Sequence, residues 1–104
     1  MRLRVDLNTA DAPAGEPVDR PRVVDTQSGR VLLDLWDTWD WDARVLRNDR
    51  ATVLLAVRRH PGKARASLEI DAEAGTYRLT HVARRWALRP LRSRLKAAGL
   101  RRTA

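Results

Sequence analysis

Arg22-Val-Val-Asp-Thr-Gln-Ser-Gly-Arg-Val-Leu-Leu-Asp-Leu-Trp36 is the stretch on which the fold turns. Two extended, aliphatic segments flank Ser28-Gly29, where glycine accepts the positive φ that a tight hairpin demands. The stretch predicts a β-hairpin, and its neighbours on both sides extend the same pattern. Upstream, Leu3, Val5 and Leu7 alternate with Arg2, Arg4 and Asp6, the period-two signature of a strand with one buried face, over residues 2–8. Asn8 to Pro21 holds three prolines and Gly15 and reads as a loop.

Downstream, Trp41 to Leu46 and Thr52 to Arg58 flank Arg47-Asn-Asp-Arg50, whose Asn and Asp favour a turn by bonding their own backbone. His60-Pro61-Gly62-Lys63 supplies another turn. Beyond it Ala66, Leu68, Ile70 and Ala72 face one way and Arg65, Ser67, Glu69 and Asp71 the other. Glu73-Ala-Gly75 turns the chain again into a last strand through Tyr77 and Leu79, with His81 as their same-face successor. Connections this short leave no room for crossover helices. The expected fold is all-β, an antiparallel meander of about six to seven short strands forming a small barrel or sandwich.

The tail changes period. Leu88, Leu91, Leu95 and Ala98 follow helical spacing, Pro90 suits a first turn, and Gly99-Leu100 suits a Schellman ending in which Leu100 meets Leu95. A short amphipathic helix over about residues 90–98 follows, too short to persist alone in water. Its leucines require a surface, either the protein's own sheet or another molecule. Residues 1–83 thus form the antiparallel body and residues 84–104 a basic helix and tail of the same domain, since 104 residues leave no room for a second.

Charge divides along nearly the same line. From Ala74 onward there are nine Lys/Arg and no acidic residue, whereas residues 1–73 carry 12 basic and 13 acidic groups, so the net +8 belongs to the tail. Arg84, Arg85, Arg89, Arg92, Arg94, Lys96, Arg101 and Arg102 could face phosphate, acidic lipid or an acidic protein surface. Trp86 stands ready to stack on an exposed base. In the opposing reading the same cations are a solvated face, or pair with Asp34, Asp37, Asp40 and Asp42 once the leucines dock.

The most unusual local feature is Trp36-Asp37-Thr38-Trp39-Asp40-Trp41-Asp42. An extended backbone there puts Trp39 and Trp41 on one face and Asp40 and Asp42 on the other. Such indoles are either packing groups beside solvated carboxylates or, if exposed, a shallow site for a sugar, a base or a cation. The Asp spacing does not fit an EF-hand loop, and no third ligand joins His60 and His81, so no metal is expected. Neither Gly-x-Ser-x-Gly, nor a Walker loop, nor Gly-x-Gly-x-x-Gly is present, and there is no cysteine to act as nucleophile, disulfide or thiolate ligand.

These absences point away from catalysis and cofactors. A cysteine-free chain with no signal-like apolar run and no segment of membrane-spanning length is expected in the cytoplasm. The expected role is a binding or interaction module, joining a protein partner or a second copy of itself through the basic helix or an unpaired sheet edge. Nonspecific nucleic-acid binding by the Arg-rich tail, and small-ligand binding at residues 34–42, are the alternatives.

Overall fold

The hairpin at Ser28-Gly29 forms as its residues dictate. Gly29 takes φ 76° and the Asp25 carboxylate accepts from the Gln27 amide at 3.0 Å and the Ser28 hydroxyl at 2.9 Å. These bonds fix the turn between β2 (Pro17–Asp25) and β3 (Val31–Asp34). The computed structural model describes residues 1–13, 15–60 and 62–103. Ala14 and Pro61 of the expected loop and turn, and Ala104 at the end of the expected tail, lie outside them.

β1 (Leu3–Asp11) pairs antiparallel with the whole of β2, from Leu3 opposite Asp25 to Asp11 opposite Pro17. Both strands therefore invade the segment expected to be a loop. The prolines allow it because of where they sit. Pro17 opens its strand, and the Pro21 carbonyl accepts from Leu35 at 3.0 Å, so its missing N–H points where β3 has already ended.

The second sheet runs in the order β4 (Trp41–Asp49), β5 (Thr52–Arg59), β6 (Arg65–Asp71), β7 (Thr76–Ala83) and β8 (Arg101–Arg102). The β4–β5 turn tightens to Arg50-Ala51, with Arg50 at φ 52°, so Arg47, Asn48 and Asp49 extend the strand instead of bending it. A bulge explains the exposed Leu46, since Val45 faces Leu55 while Arg47 already faces Leu54. Another bulge, with His81 at φ 52°, breaks the parity of β7, and His81 is exposed instead of following Tyr77 inward.

The strands are antiparallel except β8, which pairs parallel with the start of β7. They divide into two sheets of three and five strands, and one apolar cluster joins them. Val23 and Leu33 enter it from the first sheet, Leu35 from just past the end of β3, and Val53, Leu55, Leu68 and Ile70 from the second, each at most 2 % exposed.

The C-terminal leucines complete that cluster. A 3₁₀ turn, Arg85–Leu88, leads into α1 (Arg89–Ala97), with Pro90 in its first turn. Gly99 at φ 91° closes a Schellman motif: the Leu100 amide donates to the Leu95 carbonyl at 3.1 Å and the Gly99 amide to Lys96 at 2.9 Å. Leu88, Leu91, Leu95 and Leu100 are all buried in the shared core. At about 1.5–3 kcal/mol for each buried leucine, this docking stabilises a nine-residue helix that water alone would not. The apolar stripe is thereby satisfied within the chain.

Candidate anion-binding face

Docking the leucines inward decides what the helix presents outward. Arg89, Arg92, Ser93 and Lys96 recur at helical spacing and line a groove of about 500 Å³, which β8 closes with Arg101 and Arg102. Tyr77 and Leu100 form its floor. Among the described residues no acidic side chain lines this groove, and none of its five cations makes an ion pair. β8 is held by backbone bonds from Arg101 to Gly75 at 2.9 Å and from Thr103 to Tyr77 at 2.8 Å, so the two terminal arginines are presented by a strand and not by a loose tail.

Arg94 takes the opposite side. Its guanidinium donates to Asp37 at 2.8 and 3.2 Å and to the Asp34 carbonyl at 2.8 Å, and this pairing holds the Asp37 carboxyl below the usual carboxylate range. Arg94 is therefore the one of the eight candidate cations that, among the described residues, pairs with an acid of the body, while the Arg101 guanidinium donates to the Ala74 carbonyl at 3.2 Å. Of the other expected acceptors, Asp34 and Asp42 are taken within the body. The Asp34 carboxylate pairs with Arg22 at 3.0 Å, and Asp42 accepts from Arg58 at 3.2 Å and from the Asp19 amide at 2.8 Å.

A second cavity of about 430 Å³ lies over the 3₁₀ turn, where Arg84 and Trp86 meet Arg59, Lys63 and Ala64. Trp86 is 77 % exposed although Ala87 and Leu88 beside it are buried. Arg84 sits in the left-handed region at φ 60° and ψ 56° and turns the chain into the 3₁₀ segment. Arg85 is exposed and lines neither cavity. Arg59 and Lys63 join this site from β5 and the turn after it, and no periodicity in the tail could have announced them.

The Trp/Asp segment is not extended between Trp36 and Asp40. The Asp34 carboxylate accepts from the Trp36 amide at 3.0 Å and the Thr38 hydroxyl from the Asp40 amide at 3.1 Å, so local side-chain bonds bend the backbone that alternation would have kept straight. The expected common face is lost. Trp41 is 2 % exposed in the core, whereas Trp39 is 38 % exposed. Each of these indoles lies under one of the chain's own guanidinium groups: Arg22 is 3.6 Å from the Trp36 ring centre, Arg20 4.2 Å from Trp39, and Arg59 5.8 Å from Trp41.

Asp37, Trp39 and Asp40 still meet, together with His60, around a cavity of about 400 Å³. The His60 Nε2 is buried there without a hydrogen-bond partner, 3.6 Å from Glu16. Trp36 lies outside that cavity, beside Arg22 and Arg94, and Asp42 faces a different groove on β4 and β5. Among the described residues no group of three acidic or imidazole side chains converges as a metal site would require, and no helix is long and apolar enough to cross a membrane.

Comparison with protein-family models, with curated proteins and with solved structures finds no match to this chain.

Proposed function

We propose that this protein is a binding module whose C-terminal face takes a polyanion rich in phosphate. One observation carries the reading: burial of Leu88, Leu91 and Leu95 turns Arg89, Arg92 and Lys96 outward into one groove with Arg101 and Arg102, with no acidic side chain among its lining residues. Guanidinium forks suit phosphate oxygens, and clustered cations gain by releasing the counterions condensed on a polyanion. The buried stripe argues against an apolar groove on another protein as the helix's partner, because the leucines already have one.

The reading is tested by titrating the protein with inorganic polyphosphate and with an oligonucleotide across a salt series. Retention should fall log-linearly as salt rises, and Arg92→Glu with Lys96→Glu should weaken it and flatten the slope. Equal retention by the double variant would overturn the assignment.

A second reading rests on the cavity where Asp37, Trp39 and Asp40 meet beside the buried His60. A small hydroxylated ligand there would set an apolar face against the half-exposed Trp39 indole and donate to the Asp40 carboxylate. Addition of simple sugars should then change the tryptophan emission of the native protein but not of Trp39→Phe; no response in either would dismiss it.

A further inference from the structure

We infer that the polyanion is single-stranded nucleic acid, one base of which stacks on Trp86 while neighbouring phosphates meet Arg59, Lys63 and Arg84. This inference rests on the polyanion-binding reading of the adjoining groove and specifies its ligand. The four tryptophans supply the argument. Trp36, Trp39 and Trp41 each carry an arginine of the same chain over the ring, and Trp41 is buried as well.

Trp86 differs on both counts. It is 77 % exposed, and among the described residues no guanidinium of the chain covers its ring. A lone exposed indole is unremarkable on a protein surface. This one lines a cavity with Lys63 and Arg84 and with Arg59, whose guanidinium also donates to the Ala87 carbonyl at 3.0 Å, and it stands one short turn before Arg89, where the cationic groove begins. An open π-face set among cations is the arrangement that accepts a base and its flanking phosphates together.

The single indole also discriminates among polyanions. A duplex keeps its bases stacked on one another and offers the ring nothing, whereas an unpaired strand has faces to spare. An acidic bilayer would demand an apolar face beside the cations, and the leucines of α1 are spent in the core.

The test measures binding of the full chain and of Trp86→Ala to four probes at one salt concentration: a dT oligonucleotide, a duplex of equal length, inorganic polyphosphate, and phosphatidylserine vesicles. The expected result is quenching of tryptophan emission by the oligonucleotide, and a loss of its affinity in Trp86→Ala of about 5-fold to 100-fold, with Trp86→Phe retaining most of it. Polyphosphate binding should change less than about twofold, because phosphate alone cannot stack. The side chain is outside the core, so the far-ultraviolet spectrum of both variants should match the native one.

Equal losses for oligonucleotide and polyphosphate, or none for either, would overturn the stacking site. So would vesicle binding that depends on Trp86 in the absence of oligonucleotide binding. If Arg92→Glu with Lys96→Glu weakens every probe while Trp86→Ala weakens none, the groove stands and this inference falls; if the native chain retains no probe, both fall.

Discussion

The body and the C-terminal segment are both rich in arginine, yet they use it differently. In the body Arg2 pairs with Asp25, Arg4 with Asp6, Arg22 with Asp34, Arg47 with Glu69 and Arg58 with Asp42. From Arg84 onward, among the described residues, Arg94 alone pairs, with Asp37. Net charge therefore says less about binding than whether cations without an internal acid converge on one groove, as those of α1 and β8 do. Among the described residues five of the body's twelve arginines have such an acidic partner and one of the tail's seven, so the tail keeps the larger share of its arginines available to a partner.

The largest test of this contrast concerns the leucines that hold the cationic face in place. Leu95 is fully buried, and Leu95→Ala should cost about 2–5 kcal/mol in denaturant unfolding, with the whole chain melting in one transition. If the C-terminal segment were an appendage, the body would unfold at its native midpoint and only helical signal would be lost. The same substitution should weaken polyanion binding, because the groove depends on the docked helix.

Charge substitutions sharpen the contrast next. Arg92→Glu with Lys96→Glu should make the salt dependence of polyanion binding shallower by about two counterions, and should leave the unfolding midpoint unchanged or slightly higher as mutual repulsion falls. Arg47→Ala in the body should do the reverse. It should lose at most about 1 kcal/mol of stability, as half-exposed ion pairs do, and change polyanion affinity less than about twofold. Isothermal titration beside chemical denaturation separates the two outcomes.

Acid provides the third test. The bidentate Arg2 fork holds the Asp25 carboxyl far below the usual carboxylate range, and Arg94 lowers that of Asp37. A carboxyl depressed in the folded state contributes stability that is fully present above its unfolded value near 4 and is lost as pH falls through the folded value. Stability should therefore be level from neutrality to about pH 5 and decline below about pH 4. Asp25→Asn should start lower and decline less steeply over the same range, read from denaturant midpoints at each pH.

What could be read in the residues follows from the range of the forces involved. The hairpin at Ser28-Gly29, the alternation of Ala66, Leu68 and Ile70, and the helix ending at Gly99-Leu100 are written in neighbouring residues and appear in the fold as expected. Pro21 misled because its cost depends on whether a neighbouring strand still faces it, and β3 stops short. The Trp36–Asp42 alternation misled because Asp34 and Thr38 capture backbone amides and bend the chain.

The candidate site was legible in part for the same reason. Arg89, Arg92 and Lys96 share a face by helical spacing alone, whereas Arg101 and Arg102 join them only because β8 pairs with β7. Arg59 and Lys63 reach Trp86 from a distant hairpin, and His81 leaves its expected face through a bulge. Each is a tertiary outcome with no local pattern to announce it.

The smallest expected effect isolates what the tail gives up in conformation. Arg84 holds φ 60° and ψ 56°, a region in which a side chain costs about 1–2 kcal/mol and glycine almost nothing. It also lines the Trp86 cavity. Glycine's greater freedom in the unfolded chain offsets part of the gain, so Arg84→Gly should stabilise the fold by no more than about 1 kcal/mol while weakening oligonucleotide binding. A variant more stable and equally able to bind would leave the arginine's strained placement without a role at the cavity. A variant more stable and weaker in binding would show that the same position trades folding free energy for a cation beside the indole, which none of the paired arginines of the body is expected to do.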